Sequence, residues 1–272
     1  MFSLIAVGLN LQYGVTRILN VAHGDFLTLG AYVTYVLFAS YGVNPLVSLV
    51  ISGPIVFVLG VLIQLVVFRK MVSESKVVEQ LEARSLLACF GLMFVIENVL
   101  ALVFSTSPAS ALYLNVPVNI LGRTFELNLV VIAVVSVVIS LIMFLILRFT
   151  RTGLAMRATV EEPAGAQLVG INTLRIHAVS FGLGALLAAL GGSMLVMTTA
   201  VTPFVGPEFT FIALAVIILG GMGSFIGSLL GGFIIGYVYY ASATIDPLLT
   251  YVFVYLVVII LLIIRPKGLF GR

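Results

Sequence analysis

From Phe26 to Phe68 the chain carries no charged side chain, and the stretches from Phe209 to Ile245 and from Pro247 to Ile264 are equally bare. A charged residue at mid-bilayer costs at least about 2.5 to 3.5 kcal/mol on insertion scales, so uncharged runs of this length are what a bilayer selects. With 62% hydrophobic and 8% charged residues, a soluble globular domain is excluded, since such domains carry about 25% charge. In lipid every backbone polar group must be bonded within the fold, and long apolar runs do this as helices. The fold class is therefore all-α: a polytopic transmembrane helix bundle. At about 20 residues per span, the 272 residues allow about 8–9 spans in one transmembrane domain and no extramembrane domain larger than a long loop.

The charges cut the chain into apolar runs at residues 2–16, 26–41, 46–68, 85–104, 129–147, 177–199, 209–221, 225–243 and 249–264. Eleven of the 13 basic residues fall in three regions: Arg69, Lys70, Lys76 and Arg84; then Arg148, Arg151, Arg157 and Arg175; then Arg265, Lys267 and Arg272. By the positive-inside rule these regions, with the C-terminus, are cytoplasmic. Glu208 and Asp246 are then both external, so the residues between them cross twice, turning at Gly220, Gly221, Gly223 and Ser224. The run 209–221 spans only about 20 Å as a helix, and short, glycine-interrupted helices point to broken helices lining a cavity. Asp25-Phe26 and Glu208-Phe209 open two runs from opposite sides, as an inverted repeat would. Gly184, Ala188 and Gly192 share one helix face, as do Gly223, Gly227 and Gly231, and Gly232 with Gly236; such faces let backbones approach closely.

Chemistry of the enzymatic kind lacks its constellations. The histidines, His23 and His177, lie upstream of Gly223-Ser224, no facing pair of aspartates is placed in the membrane, and two histidines with Cys89 do not make a zinc site. Cys89 is expected to pack as a small hydrophobe. There is no phosphate-cradling G-x-x-x-x-G-K-[ST] loop, so any ATP must sit on a partner. A net charge of +3 concentrated in loops suits membrane orientation rather than nucleic acid. The N-terminus has neither a basic region nor an A-x-A site, so insertion as an ordinary polytopic protein is expected.

Three polar features remain. Asn20, His23, Gly24 and Asp25 lie between two apolar runs, either as a cytoplasmic turn with Asp25 as N-cap of a helix starting at Phe26, or as a polar break bordering a translocation path. Glu97 and Asn98 lie deep in the run that starts at Ser85, where a carboxylate must face protein or water. The loop from Arg148 to Ile176 reads as holding one short helix, with Pro163 first, Glu161 and Glu162 near its positive end and Gly170 beyond its last turn. A helix this short is marginal in water alone and needs a docking partner.

These residues resemble a known family. Gly8-Leu-Asn-Leu-Gln-Tyr-Gly14, Asn20-Val-Ala-His-Gly-Asp25-Phe26 and Leu29-Gly-Ala-Tyr32 look like the N-terminal signature of inner-membrane permeases of branched-chain amino acid ABC importers. Arg151-Thr-Gly153, Arg157-Ala158, Gly170-Ile-Asn172, Leu219-Gly-Gly-Met-Gly-Ser224 and Arg265-Pro-Lys-Gly-Leu-Phe-Gly271 follow in the same order. The resemblance implies a subunit of a prokaryotic cytoplasmic membrane that pairs with a second permease. It implies two cytoplasmic ATPases and delivery of amino acid by an extracytoplasmic binding protein. Arg157, Glu161, Glu162, Ala164 and Gly170 would then form the ATPase-coupling loop, while Asn20, His23, Gly24, Asp25, Glu97, Asn98, Gly220, Gly221 and Gly223 would belong to the pathway. A permease for urea, short amides or another small solute would share the motifs, and an ion-coupled secondary transporter is the rival from another class.

Overall fold

The computed structural model describes residues 1–74, 77–120, 123–265 and 268–270; Lys76, Lys267 and Arg272 of the basic regions lie outside these. All nine apolar runs carry a helix. The first half holds α1 (Phe2–Thr16), α2 (His23–Tyr41), α3 (Pro45–Ile63), which runs through a π-helical turn into α4 (Arg69–Glu74), and α5 (Val78–Phe104). The second half holds α6 (Leu127–Phe149), α7 (Arg151–Glu161), α8 (Pro163–Leu168), α9 (Thr173–Leu195), α10 (Gly206–Gly220), α11 (Phe225–Ile245) and α12 (Thr250–Ile264). Among the described residues six helices are long and apolar enough to cross a membrane, while α1 and α10 are shorter. The chain is thus a multi-pass membrane protein.

Helix ends follow local chemistry. The Asn44 side chain accepts the Leu46 amide at 2.9 Å and Pro45 occupies the first helical position of α3, where a missing N–H costs nothing. Thr150, Asn172 and Ser224 cap α7, α9 and α11 in the same manner. A two-stranded antiparallel ribbon, β1 (Pro117–Ile120) with β2 (Arg123–Glu126), pairs Pro117 with Glu126 in the connection before α6; the all-helical reading did not contain it.

The core is built on α1 and α9. Eighty-three per cent of the spanning window of α9 is buried, because its small residues accept neighbours on several sides. A methyl group at Gly184 would meet the Gly8 carbonyl of α1 at 2.6 Å, and one at Gly192 would collide with the Leu27 carbonyl of α2. Ser193 adds polar ties, bonding Ser52 of α3 at 2.7 Å and the Gly30 carbonyl of α2 at 3.1 Å. The second small-residue stripe needs one correction: Gly223 precedes α11, in a left-handed turn at φ 84°, so only Gly227 and Gly231 of that trio pack within a helix, against Gly220 and Val216 of α10.

Candidate functional site: a buried polar junction and an exposed platform

Residues Arg17 to Ala22 separate α1 from α2. Thr16 ends α1 by turning its hydroxyl back to the Gln12 carbonyl at 2.7 Å while accepting the Ile18 amide at 3.2 Å, and Arg17 adopts a left-handed φ of 56°. The chain then folds back so that Asn20 and His23 lie against Gln12, all three fully buried. Gln12 is the hub. Its Nε2 donates to the Phe181 carbonyl of α9 at 2.9 Å, which turns Oε1 toward Asn20 Nδ2 and His23 Nδ1, each at 3.1 Å. His23 Nε2 faces the Ile5 carbonyl at 3.0 Å, so the ring stands between two acceptors and a neutral imidazole, with one proton, satisfies one of them.

Asp25 is not the N-cap of its helix. α2 begins two residues earlier, after Ala22, and Asp25 sits in its first turn, 1% exposed, with neither carboxylate oxygen hydrogen-bonded among the described residues. What surrounds it is the start of a second helix. A methyl group at Gly206, the first residue of α10, would run into Asp25 Oδ1, and one at Gly24 would run into the Gly206 carbonyl. Thr210 of α10 accepts the Gly24 amide at 2.8 Å and lies 2.9 Å from the Val21 carbonyl, to which it donates. The two runs that echo each other in sequence therefore begin side by side, N-terminus to N-terminus, and the positive ends of both helix dipoles fall near the Asp25 carboxylate. Glu97 of α5, also buried, lies within electrostatic reach of Asp25. Asn98 does not join them: it lies on the exposed side of α5, its amide bonded to the Phe94 carbonyl of its own helix at 2.8 Å.

Gly220, Gly221 and Gly223 form a separate centre joined to the first through α1. Asn10 accepts the Gly223 amide at 2.7 Å and donates to the Ser224 carbonyl at 2.8 Å and the Ser228 hydroxyl at 2.6 Å. Two residues apart on one helix, Asn10 clamps the glycine turn and Gln12 clamps the Asn20 junction. Sequence reasoning passed over both, although polar side chains at this spacing within an apolar run were the available signal. The described tail residues reach the same turn, with the Leu269 and Phe270 amides donating to the carbonyls of Leu219 and Gly220 at 2.8 and 3.1 Å.

The loop between α6 and α9 holds two helices where one was expected. Proline disfavours helical backbone in the residue before it, and Glu162 is extended at φ −148°, which ends α7 at Glu161 and starts α8 at Pro163. Glu161 is thus the last residue of α7, and neither glutamate lies in the first turn of α8. Gly170 follows with φ 83°, as its position beyond the helix required. The platform presents Glu161, Glu162, Pro163, Ala164 and Gly170 to the outside, together with Leu168 and Val169 at 89% and 77% exposure. Arg157 donates to the Arg148 carbonyl at 3.2 Å, tying α7 to the end of α6.

The described parts of the three basic regions share one end of the bundle. Val72, after Arg69 and Lys70, lines a cavity with Pro163, Gln167 and His177, and Arg148 and Arg157 line another with Gly223 and Phe270. Among the described residues no three His, Cys, Asp or Glu side chains converge to hold a metal ion. The arrangement is one of helix contacts held by buried amides and hydroxyls, with one exposed two-helix segment.

Similarity to known proteins agrees with this geometry. The chain is 29% identical to a probable branched-chain amino acid transport permease protein, LivH, of Methanocaldococcus jannaschii, over 98% of this chain and 88% of that protein. It is 28% identical to the high-affinity branched-chain amino acid transport system permease LivH of Escherichia coli K12, over 100% and 91% of the two chains. It is also 28% identical to the corresponding permease BraD of Pseudomonas aeruginosa, over 100% and 92%. No solved structure matches it. Residues 1–262 match the family described as branched-chain amino acid transport system, permease component, and with the helix bundle and its broken α1–α2 connection in view, the chain belongs to that family.

Proposed function

We propose that this chain is the membrane-spanning subunit of an ATP-driven importer that carries leucine, isoleucine or valine across the cytoplasmic membrane of a prokaryote. The observation that carries the reading is the exposed α7–α8 platform, whose uncovered Leu168 and Val169 suit a docked protein better than water. Two ATP-binding subunits would seat on it, a second permease would complete the bundle, and an extracytoplasmic binding protein would deliver the amino acid. ATP is bound and hydrolysed on those partners, and this chain itself carries no catalytic group. The gathering of basic residues at the platform end supports a cytoplasmic platform and C-terminus.

Movement follows an alternating-access scheme. Closure of the ATPases would displace the platform as a rigid lever tied to α6 through Arg157. Parting of α2 from α10 would then bring Asn20, His23, Gly24 and Asp25, with Glu97, to the border of the passage, while Asn98, on the exposed side of α5, would stay outside it, and Gly220, Gly221 and Gly223 would absorb the change in the turn. An aliphatic substrate needs a passage dominated by apolar walls, so tight polar capture falls to the binding protein.

The test is reconstitution with candidate ATPases and binding protein, followed by uptake of radiolabelled leucine. Ala164→Glu places a charge on the platform and is expected to abolish ATP-driven uptake with insertion unchanged; normal uptake by that variant would sink the assignment of the platform. Urea or short amides in place of leucine would mark the related small-solute permease. The buried carboxylate of Asp25 beside Glu97 favours a second reading, an ion-coupled transporter, and uptake that persists without ATPases but collapses with an uncoupler would establish it.

A further inference from the structure

Between α6 and α11, with α1 as its floor, a cavity of about 720 Å³ opens at the end of the bundle that carries the platform. Phe144 and Leu147 of α6 form one apolar wall and Phe225 and Ile226 of α11 the other, and the Phe144 and Phe225 rings meet 5.8 Å apart. Arg17, Arg148 and Arg157 also line it, with Glu161 as an opposing carboxylate. None of the three guanidinium groups forms an ion pair with a described residue. Arg17 lies over the Tyr13 ring and shares a hydrogen bond with its hydroxyl, Arg148 lies over the rings of Phe144 and Phe149, and Arg157 donates one N–H to the Arg148 carbonyl at 3.2 Å; with five donors on each guanidinium, every one keeps further N–H groups for an anion. Three arginines against one glutamate leave the cavity with an excess of positive charge.

We infer that this cavity binds an anionic phospholipid, its phosphate held by Arg17, Arg148 and Arg157 and one acyl chain laid along the walls of α6 and α11. Charge alone would serve a soluble phosphate equally well. The aromatic and aliphatic walls belong to spanning helices with exposed neighbours such as Leu141, Leu145 and Ile226, and they select a ligand that is apolar below its headgroup. Basic clefts at the end of a helix bundle meet anionic headgroups through attraction of about 1 kcal/mol per cation at the membrane surface. A lipid seated there would join α1, α6 and α11 to the base of α7, and so brace the platform from the membrane side.

The experiment uses the full chain in nanodiscs of phosphatidylcholine with a minor share of phosphatidylglycerol, released gently and weighed by native mass spectrometry. Phosphatidylglycerol is expected to be retained over phosphatidylcholine by about tenfold or more, and R17Q/R148Q to lose most of that preference. R17K/R148K, which keeps the charge, should recover part of it. A photoactivatable phosphatidylglycerol should crosslink to the peptide containing Phe225 and Ile226, a readout that does not depend on either variant folding. Equal retention of the two lipids, unchanged preference in R17Q/R148Q, or crosslinks that avoid the α6 and α11 peptides would overturn the inference. Displacement of the lipid by millimolar glycerol phosphate alone would overturn it as well, because the headgroup would then bind without its chain.

Discussion

α9 and α12 are both spanning helices, yet 83% of the window of α9 is buried in the protein and only 17% of that of α12. The more apolar of the two is the less buried. α12 is almost wholly Val, Ile, Leu, Phe and Tyr, whereas α9 carries Gly182, Gly184, Gly191, Gly192, Ser180 and Ser193. In water the order would be reversed, since burial there follows hydrophobicity. In lipid, tails solvate leucine as well as another helix does, so association depends on close backbone approach and buried hydrogen bonds. Small and weakly polar residues therefore mark the interior, and large aliphatic ones the rim.

The largest effect belongs to Gly192→Leu: the Leu27 carbonyl and the Ala31 amide already occupy the space, and backbone cannot give way as a side chain can. No monodisperse folded protein is expected by size-exclusion chromatography in detergent, and a sample melting with the wild type would refute the α2–α9 contact. Gln12→Ala removes the bonds to Phe181, Asn20 and His23. At about 0.6 to 1.7 kcal/mol for a hydrogen bond inside a membrane protein, the loss should reach about 2 kcal/mol or more, read as a clear fall in melting temperature. Ser193→Ala, with its ties to Ser52 and Gly30 gone, should cost about 1 kcal/mol by the same measurement. Ile259→Val on α12, at a position 58% exposed, should stay within about 0.5 kcal/mol of the wild type. A loss at Ile259 as large as that at Ser193 would mean that α12 is covered by protein and not by lipid.

Charge placement read the spans well and their ends poorly, for one reason. A charge marks where the chain leaves hydrocarbon, not where the helix stops. α5 was expected from Ser85 but starts at Val78, because Glu79, Glu82 and Arg84 are tolerated in a helix once it stands in water. α2 starts at His23, before Phe26, because Thr210 of α10 accepts the Gly24 amide, as a capping side chain otherwise would, while Gln12 holds the His23 ring. The ribbon from Pro117 to Glu126 escaped notice because it is too short for alternation to stand out among apolar residues. In the platform, Pro163 marks a helix start, and because it disfavours helical backbone at Glu162 it also divides the segment into two helices.

The candidate site was legible as a set of residues and not as an arrangement. Asn20, His23, Asp25 and Glu97 stood out because polar groups are scarce in such a chain. Asn10 and Gln12 were hidden by the helix around them, although they make more of the buried polar contacts than any residue singled out. Asn98 is adjacent to Glu97 in sequence, but the 100° step between neighbours on a helix carries it off the buried face that Glu97 occupies.

Composition and the placement of charge were enough to set the solvent, the helical class, the number of apolar runs and the three regions where basic residues gather. All of these follow from the cost of placing a charge or an unpaired backbone group in hydrocarbon, which each segment meets alone. The packing of helices decided that α2 and α10 begin against each other, that Gln12 ties Asn20 and His23 to α9, and that Arg17, Arg148 and Arg157 line one cavity. Those outcomes depend on which backbones can approach within a few ångströms, and that is a property of helix pairs, which no single run of residues contains.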